Sequence, residues 1–137
     1  MANASCLCGG VKFTAQPENN EVGICHCSMC RKMSAGPYFG IACKDVEFAG
    51  DEHLGIYKSS DYGERLFCNK CGSTVAWRMQ DKSMTVVAVD LIEGLDSLVL
   101  DHEIYIDHKP SYFSFAEKTK QMTEAEVMKM FAGGQEQ

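Results

Sequence analysis

The chain has 137 residues, of which 45% are hydrophobic and 23% are charged, and its formal net charge is −6. This composition is typical of a globular protein with a real core, and we expect a single domain over residues 1–137. The acidic balance disfavours a nucleic-acid partner, because a surface that follows phosphates needs a basic stripe. No stretch has the length of a membrane span, and the N-terminus lacks a signal-peptide pattern. We therefore expect a cytoplasmic protein with no membrane partner.

Apolar and polar residues alternate over short segments that are separated by Gly, Pro, Asn and Asp, which predicts a mainly β fold. The predicted strands lie at residues 9–15, 21–24, 38–43, 46–48, 54–57, 65–68, 74–78, 84–89 and 102–106. The segments at 74–78 and 84–89 are expected to pair as a hairpin. The segment at 102–106 is predicted to be the last strand of the chain.

Two short helices complete the predicted fold. The first covers residues 28–34, with Ser28 as its N-cap. The second is a C-terminal helix that begins at the capping box Thr123–Glu126 and ends at the pair Gly133–Gly134. The apolar stripe of this helix consists of Val127, Met128, Met130 and Phe131. We expect that stripe to pack into the core.

Seven of the eight cysteines fall into clusters with CxC or CxxC spacing. These clusters are Cys6 and Cys8; Cys25, Cys27 and Cys30; and Cys68 and Cys71. In a reducing compartment such spacing indicates metal binding rather than disulfides. Cys43 has no thiol neighbour in sequence, and we interpret it as a small buried hydrophobic residue.

Seven thiols divide into a site of four and a site of three. The four-cysteine cluster would consist of Cys6, Cys8, Cys68 and Cys71, and the three-cysteine cluster of Cys25, Cys27 and Cys30. A structural zinc has four protein ligands, whereas a catalytic zinc keeps one position open. A rival partition is a zinc ribbon that consists of Cys27, Cys30, Cys68 and Cys71. We favour the first partition, because the ribbon leaves a CxC pair unused and Cys25 unbound beside a metal.

The three-cysteine cluster and its neighbours are the predicted catalytic residues. Zinc bound by three thiolates polarises a carbonyl weakly, but it is well suited to hold another sulfur, which loses its proton on binding. Arg31 and Lys32 would offset the negative charge, and His26 is a candidate proton carrier. The alternatives are a His26 that points to solvent or bonds to the backbone, and a solvated face that contains Arg31 and Lys32.

Three motifs together resemble the glutathione-dependent formaldehyde-activating enzyme family, which also contains centromere protein V. They are CLCGGV at residues 6–11, CHCSMCR at residues 25–31 and FCNKCGS at residues 67–73. The segment from His102 to Tyr112 is similar to that family too. The resemblance therefore extends from Cys6 to about Phe113.

The resemblance implies zinc-stapled antiparallel sheets of the β-tent type. It implies a structural zinc at the four-cysteine cluster and a functional zinc at the three-cysteine cluster, which are two zinc ions per chain. The implied activity is that of a carbon–sulfur lyase, which joins glutathione and formaldehyde as S-hydroxymethylglutathione. Arg65 and Lys109 are candidate partners for the carboxylates of glutathione.

Two hypotheses from different classes follow. The first is a zinc-dependent carbon–sulfur lyase that acts on the adduct of a small thiol. The second is a non-catalytic zinc module that binds a thiol or a protein partner. Whether a Cys27 variant still folds distinguishes both from a single-site ribbon. An open functional site is dispensable for the fold, whereas a sole structural zinc is not.

Overall fold

The structure, a computed structural model, describes residues 1–135 and is mainly β. Its strands are β1 (Ala2–Ser5), β2 (Lys12–Pro17), β3 (Glu21–Cys25), β4 (Tyr38–Phe48), β5 (Leu54–Tyr57), β6 (Gly63–Cys68), β7 (Thr74–Met79), β8 (Thr85–Ala88), β9 (Val99–Ile104) and β10 (Lys120–Met122). Its helices are α1 (Ser28–Ser34) and α2 (Glu124–Gln135). The predicted mainly β fold with a C-terminal helix is confirmed. Across this part of the chain, neither helix has the length and apolar character needed to span a bilayer.

The first of two compact units comprises Met1–Asn20 and Gly40–Leu98, and its strands pair antiparallel. Strands β5, β6, β7, β8 and β4 follow one another in that order, and β2 pairs with both β4 and β1. The predicted hairpin is confirmed, because Trp77 of β7 lies opposite Val86 of β8. Leu66, Val75 and Val87 are fully buried and form part of the core of this unit.

The second unit comprises Glu21–Phe39 and the chain from Val99 onwards, and its strands β3, β9 and β10 pair parallel. Cys25 at the end of β3 lies opposite Ile104 at the end of β9. The prediction of antiparallel sheets is therefore wrong for these three strands. Alternation identifies a strand but not its partner, and the long chain between β3 and β9 supplies the connection that parallel pairing requires.

Several predicted strand limits also need correction. Residues 46–48 are the end of β4 rather than a separate strand. The strand predicted at residues 102–106 ends at Ile104, because Tyr105 adopts a left-handed backbone with φ of 55°. It is followed by β10, so it is not the last strand. β1 and β10 have only four and three residues, and the apolar positions of β1 are alanines, which are poor strand formers. For this reason the sequence pattern does not predict them.

Helix α2 begins as predicted. The main-chain N–H of Thr123 donates to Glu126 Oε1 at 3.0 Å, and the N–H of Glu126 donates to Thr123 Oγ1 at 3.3 Å, which confirms the capping box. Val127 is 1% exposed, whereas Met128 and Met130 are 40% and 55% exposed.

The predicted core role is therefore wrong for the two methionines of α2. Val127 and the half-buried Phe131 are four residues apart and define the buried face of the helix, and the methionines lie at its two edges. The predicted end at Gly133–Gly134 is also wrong, because α2 continues to Gln135. Glycine permits a helical backbone as well as a helix end.

Candidate metal centres

The four-cysteine cluster lies in the first unit. The Sγ atoms of Cys6, Cys8, Cys68 and Cys71 all lie within 4.8 Å of one another. Cys6 and Cys8 belong to the loop between β1 and β2, Cys68 ends β6, and Cys71 lies in the turn that follows. Cys8 Sγ is 3.7 Å from both Cys6 Sγ and Cys68 Sγ. This grouping is the one that the first partition of the thiols requires.

Main-chain amides around the four-cysteine cluster point at its sulfurs. Gly10 N–H donates to Cys8 Sγ and Val11 N–H to Cys6 Sγ, both at 3.3 Å. Cys68 Sγ accepts from the N–H groups of Lys70 and Cys71, both at 3.4 Å. Such bonds favour the thiolate, which is the form that binds a metal.

Two glycines make the turns that carry these amides. Gly9 has a φ of 77° and Gly72 a φ of 83°, which is the left-handed region that other residues enter at a cost. Gly72 therefore allows the chain to turn directly after Cys71. The Ser73 hydroxyl, 3.2 Å from Cys71 Sγ, and the Ser73 main-chain amide lower the pKa of the Cys71 thiol to about 5.

The three-cysteine cluster lies in the second unit, and its Sγ atoms also lie within 4.8 Å of one another. Cys25 ends β3, Cys27 precedes α1, and Cys30 is buried in the first turn of that helix. The group comprises three ligand-type side chains within the described residues, all of them cysteines. The hydrogen-bonded side chains of Cys27 and Cys30 raise the pKa of Cys25, because a negative charge on one sulfur opposes a second charge on a sulfur nearby. A bound cation would remove that opposition.

The N-cap of α1 is Cys27 and not Ser28 as predicted. Cys27 has an extended backbone, and its Sγ accepts a hydrogen bond from the N–H of Cys30 at 3.3 Å. Ser28 is the exposed first residue of the helix. A sulfur therefore takes the place that a hydroxyl usually has at a helix start, and the capping interaction fixes the direction of the Cys27 thiol.

Both clusters can bind a metal ion. All eight cysteines are free of disulfide bonds, and each cluster offers only sulfur donors at a mutual distance that one ion can bridge. Sulfur donors select thiophilic metals rather than magnesium or calcium.

His26 is fully buried, with 0% exposure, so it does not point to solvent. Its Nε2 lies 2.8 Å from Oε1 of Glu103, which is 3% exposed. The imidazole ring contacts the rings of Phe113 and Phe115, with centroid distances of 5.8 and 6.3 Å. The main-chain N–H of His26 donates to the carbonyl of Ile104 at 3.1 Å. Both the side chain and the backbone of His26 are therefore anchored to β9 or its end.

Glu103 also belongs to this site, and no motif in the sequence predicts it. Besides His26, its carboxylate accepts from Thr119 Oγ1 at 2.5 Å and from Gln121 Nε2 at 3.5 Å. Burial raises the pKa of Glu103, but the hydrogen bonds from Thr119 and His26 outweigh burial and hold this pKa below its ordinary value. A glutamate within a predicted strand is unusual and could have marked a functional residue. Its partner, His26, could not be predicted, because it lies 77 positions earlier in the chain.

Arg31 and Lys32 differ in their surroundings. Arg31 Nε donates to the main-chain oxygen of His26 at 2.9 Å, whereas Lys32 is exposed. The two cations predicted to bind glutathione carboxylates make other contacts. Lys109 Nζ donates to the carbonyls of Pro110 and Phe113, and Arg65 is buried in β6 with Nε 3.4 Å from Ser59 Oγ.

Cys43 is buried, and burial together with the charge of Glu18 raises the pKa of its thiol to about 11. This agrees with the interpretation as a small hydrophobic residue. His102 Nδ1 lies 2.9 Å from Asp101 Oδ2, and both group with Glu21 within 4.8 Å. Lys120 Nζ, 3.5 Å from Asp101 Oδ1, already provides a cation for that carboxylate.

Residues 1–108 match the family model described as glutathione-dependent formaldehyde-activating enzyme. A Schizosaccharomyces pombe protein named an uncharacterized lyase is 32% identical over 127 residues, which cover 91% of this chain and 93% of that protein. A Halomonas elongata protein with the provisional name glutathione-dependent formaldehyde-activating enzyme is 32% identical over 85 residues, covering 55% and 54% of the two chains.

The fold has a counterpart among solved structures. The crystal structure of a Rhodobacter sphaeroides protein superposes with a TM-score of 0.59 at 22% identity, covering 69% of this chain and 91% of that one. This likeness concerns the fold alone. The family model covers most of the chain, including all seven clustered cysteines. The chain therefore belongs to the glutathione-dependent formaldehyde-activating enzyme family.

Proposed function

We propose that this protein is a zinc-dependent carbon–sulfur lyase that acts on the adduct of a small thiol, with glutathione as the thiol and formaldehyde as the electrophile. The three-membered thiol cluster of Cys25, Cys27 and Cys30 is the observation that carries the proposal. Membership of the family and the lyase name of the yeast relative support a reaction of this class. The clustered free thiols fit a reducing compartment, and we place the protein in the cytoplasm.

The reaction joins the sulfur of a thiol to the carbon of formaldehyde and gives an S-hydroxymethyl adduct. A carbon–sulfur bond forms, the carbonyl π bond opens, and the proton of the thiol moves to the carbonyl oxygen. No oxidant or reductant is needed, and the reverse direction is the lyase reaction. The protein must therefore hold the sulfur as a thiolate beside the carbonyl carbon and control one proton.

We assign two zinc ions per chain to the two clusters. The four-cysteine cluster would bind a structural ion, because four protein ligands close a tetrahedral site. The three-cysteine cluster would bind the functional ion. When bound there, zinc supplies an open coordination position that holds a thiol sulfur and favours its thiolate form.

The residues beside the three-cysteine cluster have separate roles in this proposal. Arg31 directs Nε to the main chain of His26, and the rest of its guanidinium offsets the negative charge of the thiolates. Lys32 is exposed on α1 and adds to this positive field. His26 is buried and bonded to Glu103, so it is better suited to hold the loop than to carry a proton to bulk solvent.

The contacts of Lys109 argue against its predicted role as a partner for a carboxylate of glutathione. Its ammonium donates two hydrogen bonds to main-chain carbonyls of its own loop and lies 4.8 Å from the centroid of the Phe113 ring. Binding a carboxylate of glutathione would compete with these contacts. We therefore propose Lys32, which has an exposed side chain, as the first candidate for a carboxylate of the substrate.

Calorimetric titration tests the proposal. Reduced glutathione is titrated into protein whose zinc content has been counted, and the titration is repeated with S-methylglutathione, which cannot deliver a thiolate. We expect binding of the thiol with release of a proton, and no comparable binding of the thioether. Protein that holds two zinc ions and binds neither compound would contradict the proposal and favour the non-catalytic zinc module.

Turnover needs its own measurement, because the addition of thiols to formaldehyde also proceeds without an enzyme. Exchange spectroscopy by NMR measures the rate at which glutathione and S-hydroxymethylglutathione interconvert in the presence of formaldehyde. We expect the protein to accelerate this exchange and Cys27→Ser to abolish the acceleration. Equal rates with the two proteins would contradict a catalytic role for the three-cysteine cluster.

A further inference from the structure

His26 and Glu103 form a buried polar pair beside the three-cysteine cluster. His26 lies between Cys25 and Cys27 in sequence, and its Nε2 is 2.8 Å from Glu103 Oε1. Glu103 lies on β9, which is parallel to β3 and pairs Glu103 with Ile24. The strand that ends in the cysteine loop is thus held by its neighbour through the main chain and through one side-chain contact.

The surroundings of Glu103 determine which nitrogen of His26 carries hydrogen. The carboxylate accepts hydrogen bonds from Thr119 and Gln121, and it also faces His26. These surroundings favour the ionised form of Glu103. An ionised carboxylate can only accept, so Nε2 of His26 must be the donor. In the neutral ring Nδ1 then has a lone pair, and this buried atom makes no hydrogen bond with the described residues.

A buried polar pair stabilises a protein core less efficiently than apolar side chains do. A buried polar atom without a partner is destabilising, and apolar side chains of similar volume often replace buried charged pairs without loss of stability. What an apolar side chain cannot supply is direction, because dispersion contacts do not fix the orientation of a ring. A hydrogen bond between two buried groups does.

We propose that Glu103 is a positioning residue, which acts through the His26 imidazole to fix the directions in which Cys25 and Cys27 present their thiols. Residue 26 is held at three points: its N–H by Ile104, its carbonyl by Arg31 and its ring by Glu103. With residue 26 fixed, the thiols on both sides of it converge on one point. The inference rests on the proposed function, because it takes the three-cysteine cluster as the zinc site.

The test is the alkylation rate of each cysteine in zinc-loaded protein. The protein reacts with N-ethylmaleimide, and mass spectrometry of its peptides resolves the two clusters. Glu103→Leu removes the hydrogen bond, whereas Glu103→Gln keeps a side-chain oxygen that accepts from Nε2. Because partners that orient metal ligands change metal affinity about 10- to 100-fold, we expect Glu103→Leu to accelerate alkylation of the three-cysteine cluster by about tenfold or more. Glu103→Gln should stay within about threefold of the wild type, since it keeps the orienting bond.

The chain offers a matched control in Glu64. This residue is also a buried carboxylate, 5% exposed, and it is paired with Arg78 in the first unit with a nitrogen–oxygen distance of 2.5 Å. Glu64→Leu breaks a buried pair and should lower stability, but it should leave the ratio of the alkylation rates of the two clusters unchanged. The four-cysteine cluster is the internal reference in every variant.

The outcomes separate positioning from general stabilisation. Faster alkylation that is confined to the three-cysteine cluster, with rescue by Glu103→Gln, supports the proposal. Equal acceleration of both clusters, or no acceleration, overturns it. If Glu103→Leu does not fold, Thr119→Val replaces it: loss of one hydrogen bond to Glu103 should give a smaller increase at the same cluster, and no increase there overturns the proposal.

This experiment does not depend on the substrate. Wild-type protein that holds two zinc ions but does not bind glutathione would contradict the proposed function and leave the alkylation comparison valid. Wild-type protein that holds one zinc ion, with a rapidly alkylated three-cysteine cluster, would contradict the second zinc site and overturn the positioning role with it.

Discussion

Arg31 donates a hydrogen bond from Nε to the main-chain oxygen of His26, with 2.9 Å between the two atoms. The bond joins the middle of α1 to the backbone between Cys25 and Cys27. It also brings a positive charge to a segment that contains three thiols within six residues.

Removal of the Arg31 side chain should therefore loosen this segment. Hydrogen bonds that involve a charged group contribute about 1.5–3 kcal/mol, and Arg31 is only half-buried, so we expect Arg31→Ala to lower the free energy of unfolding by about 1.5 kcal/mol. Urea unfolding of the zinc-loaded protein measures this. Lys32→Ala is the control, because Lys32 is exposed and adjacent, and its effect should be within about 0.5 kcal/mol. Equal effects of the two substitutions would contradict a bracing role for Arg31.

Loss of one ligand should have different consequences at the two clusters. We expect Cys27→Ser to remove about one zinc ion per chain and to leave a folded protein, because an open site is not needed for folding. Cys68→Ser should remove the other ion and lower the melting temperature sharply, since Cys68 is fully buried and joins the end of β6 to the loop before β2. Zinc counting and thermal unfolding by circular dichroism measure both effects. Unfolding of the Cys27→Ser protein would contradict the two-site assignment.

The turn at Gly72 gives a prediction that depends on the backbone alone. Its φ is 83°, and a Cβ added there would meet no atom within 4 Å. Gly72→Ala should therefore cost about 1–2 kcal/mol through the left-handed conformation without any clash. Gly72→Asn should cost less, because asparagine tolerates this region better. Unfolding free energies of the three proteins provide the comparison, and equal stability of the alanine variant and the wild type would show that the turn can change its conformation.

The capping box of α2 predicts a dependence on pH. The N–H and hydroxyl of Thr123 hold the pKa of Glu126 below its ordinary value of 4.5. The folded state thus favours the ionised carboxylate, so the stabilisation is fully present above about pH 4.5 and is lost as the pH falls through the lowered pKa. The difference in unfolding free energy between the wild type and Glu126→Gln should shrink in that acidic range. A difference that stays constant would mean that the charge does not contribute to the cap.

Local patterns predict much of this fold. The hairpin of β7 and β8, the left-handed turn at Gly72 and the capping box at Thr123 depend on residues that are close in sequence. The clusters could be predicted for a similar reason, since CxC and CxxC spacing brings thiols together whatever the fold. The grouping of Cys6 and Cys8 with the later pair required a count of ligands, because no local signal connects them.

Other features depend on contacts between distant parts of the chain. The parallel pairing of β3 with β9 has no signature in either strand, because both read as ordinary alternating segments. The burial of His26 could not be predicted for the same reason: a histidine between two clustered cysteines suggests an accessible loop, and its partner Glu103 lies 77 positions away. Cys27 rather than Ser28 caps α1, because the geometry of the loop and not the usual preference for hydroxyls decides the cap.

The parallel pairing of β3 with β9 has a consequence for how the protein is made. Synthesis proceeds from the N-terminus, so Cys25, Cys27 and Cys30 leave the ribosome well before Ile104, whose carbonyl binds the N–H of His26. During that interval the segment lacks both the neighbouring strand and the carboxylate of Glu103. The nascent chain thus presents three unprotected thiols to oxidants and to any metal ion in the cell. The final geometry of this cluster can therefore form only after β9, at Val99–Ile104, has also been synthesised.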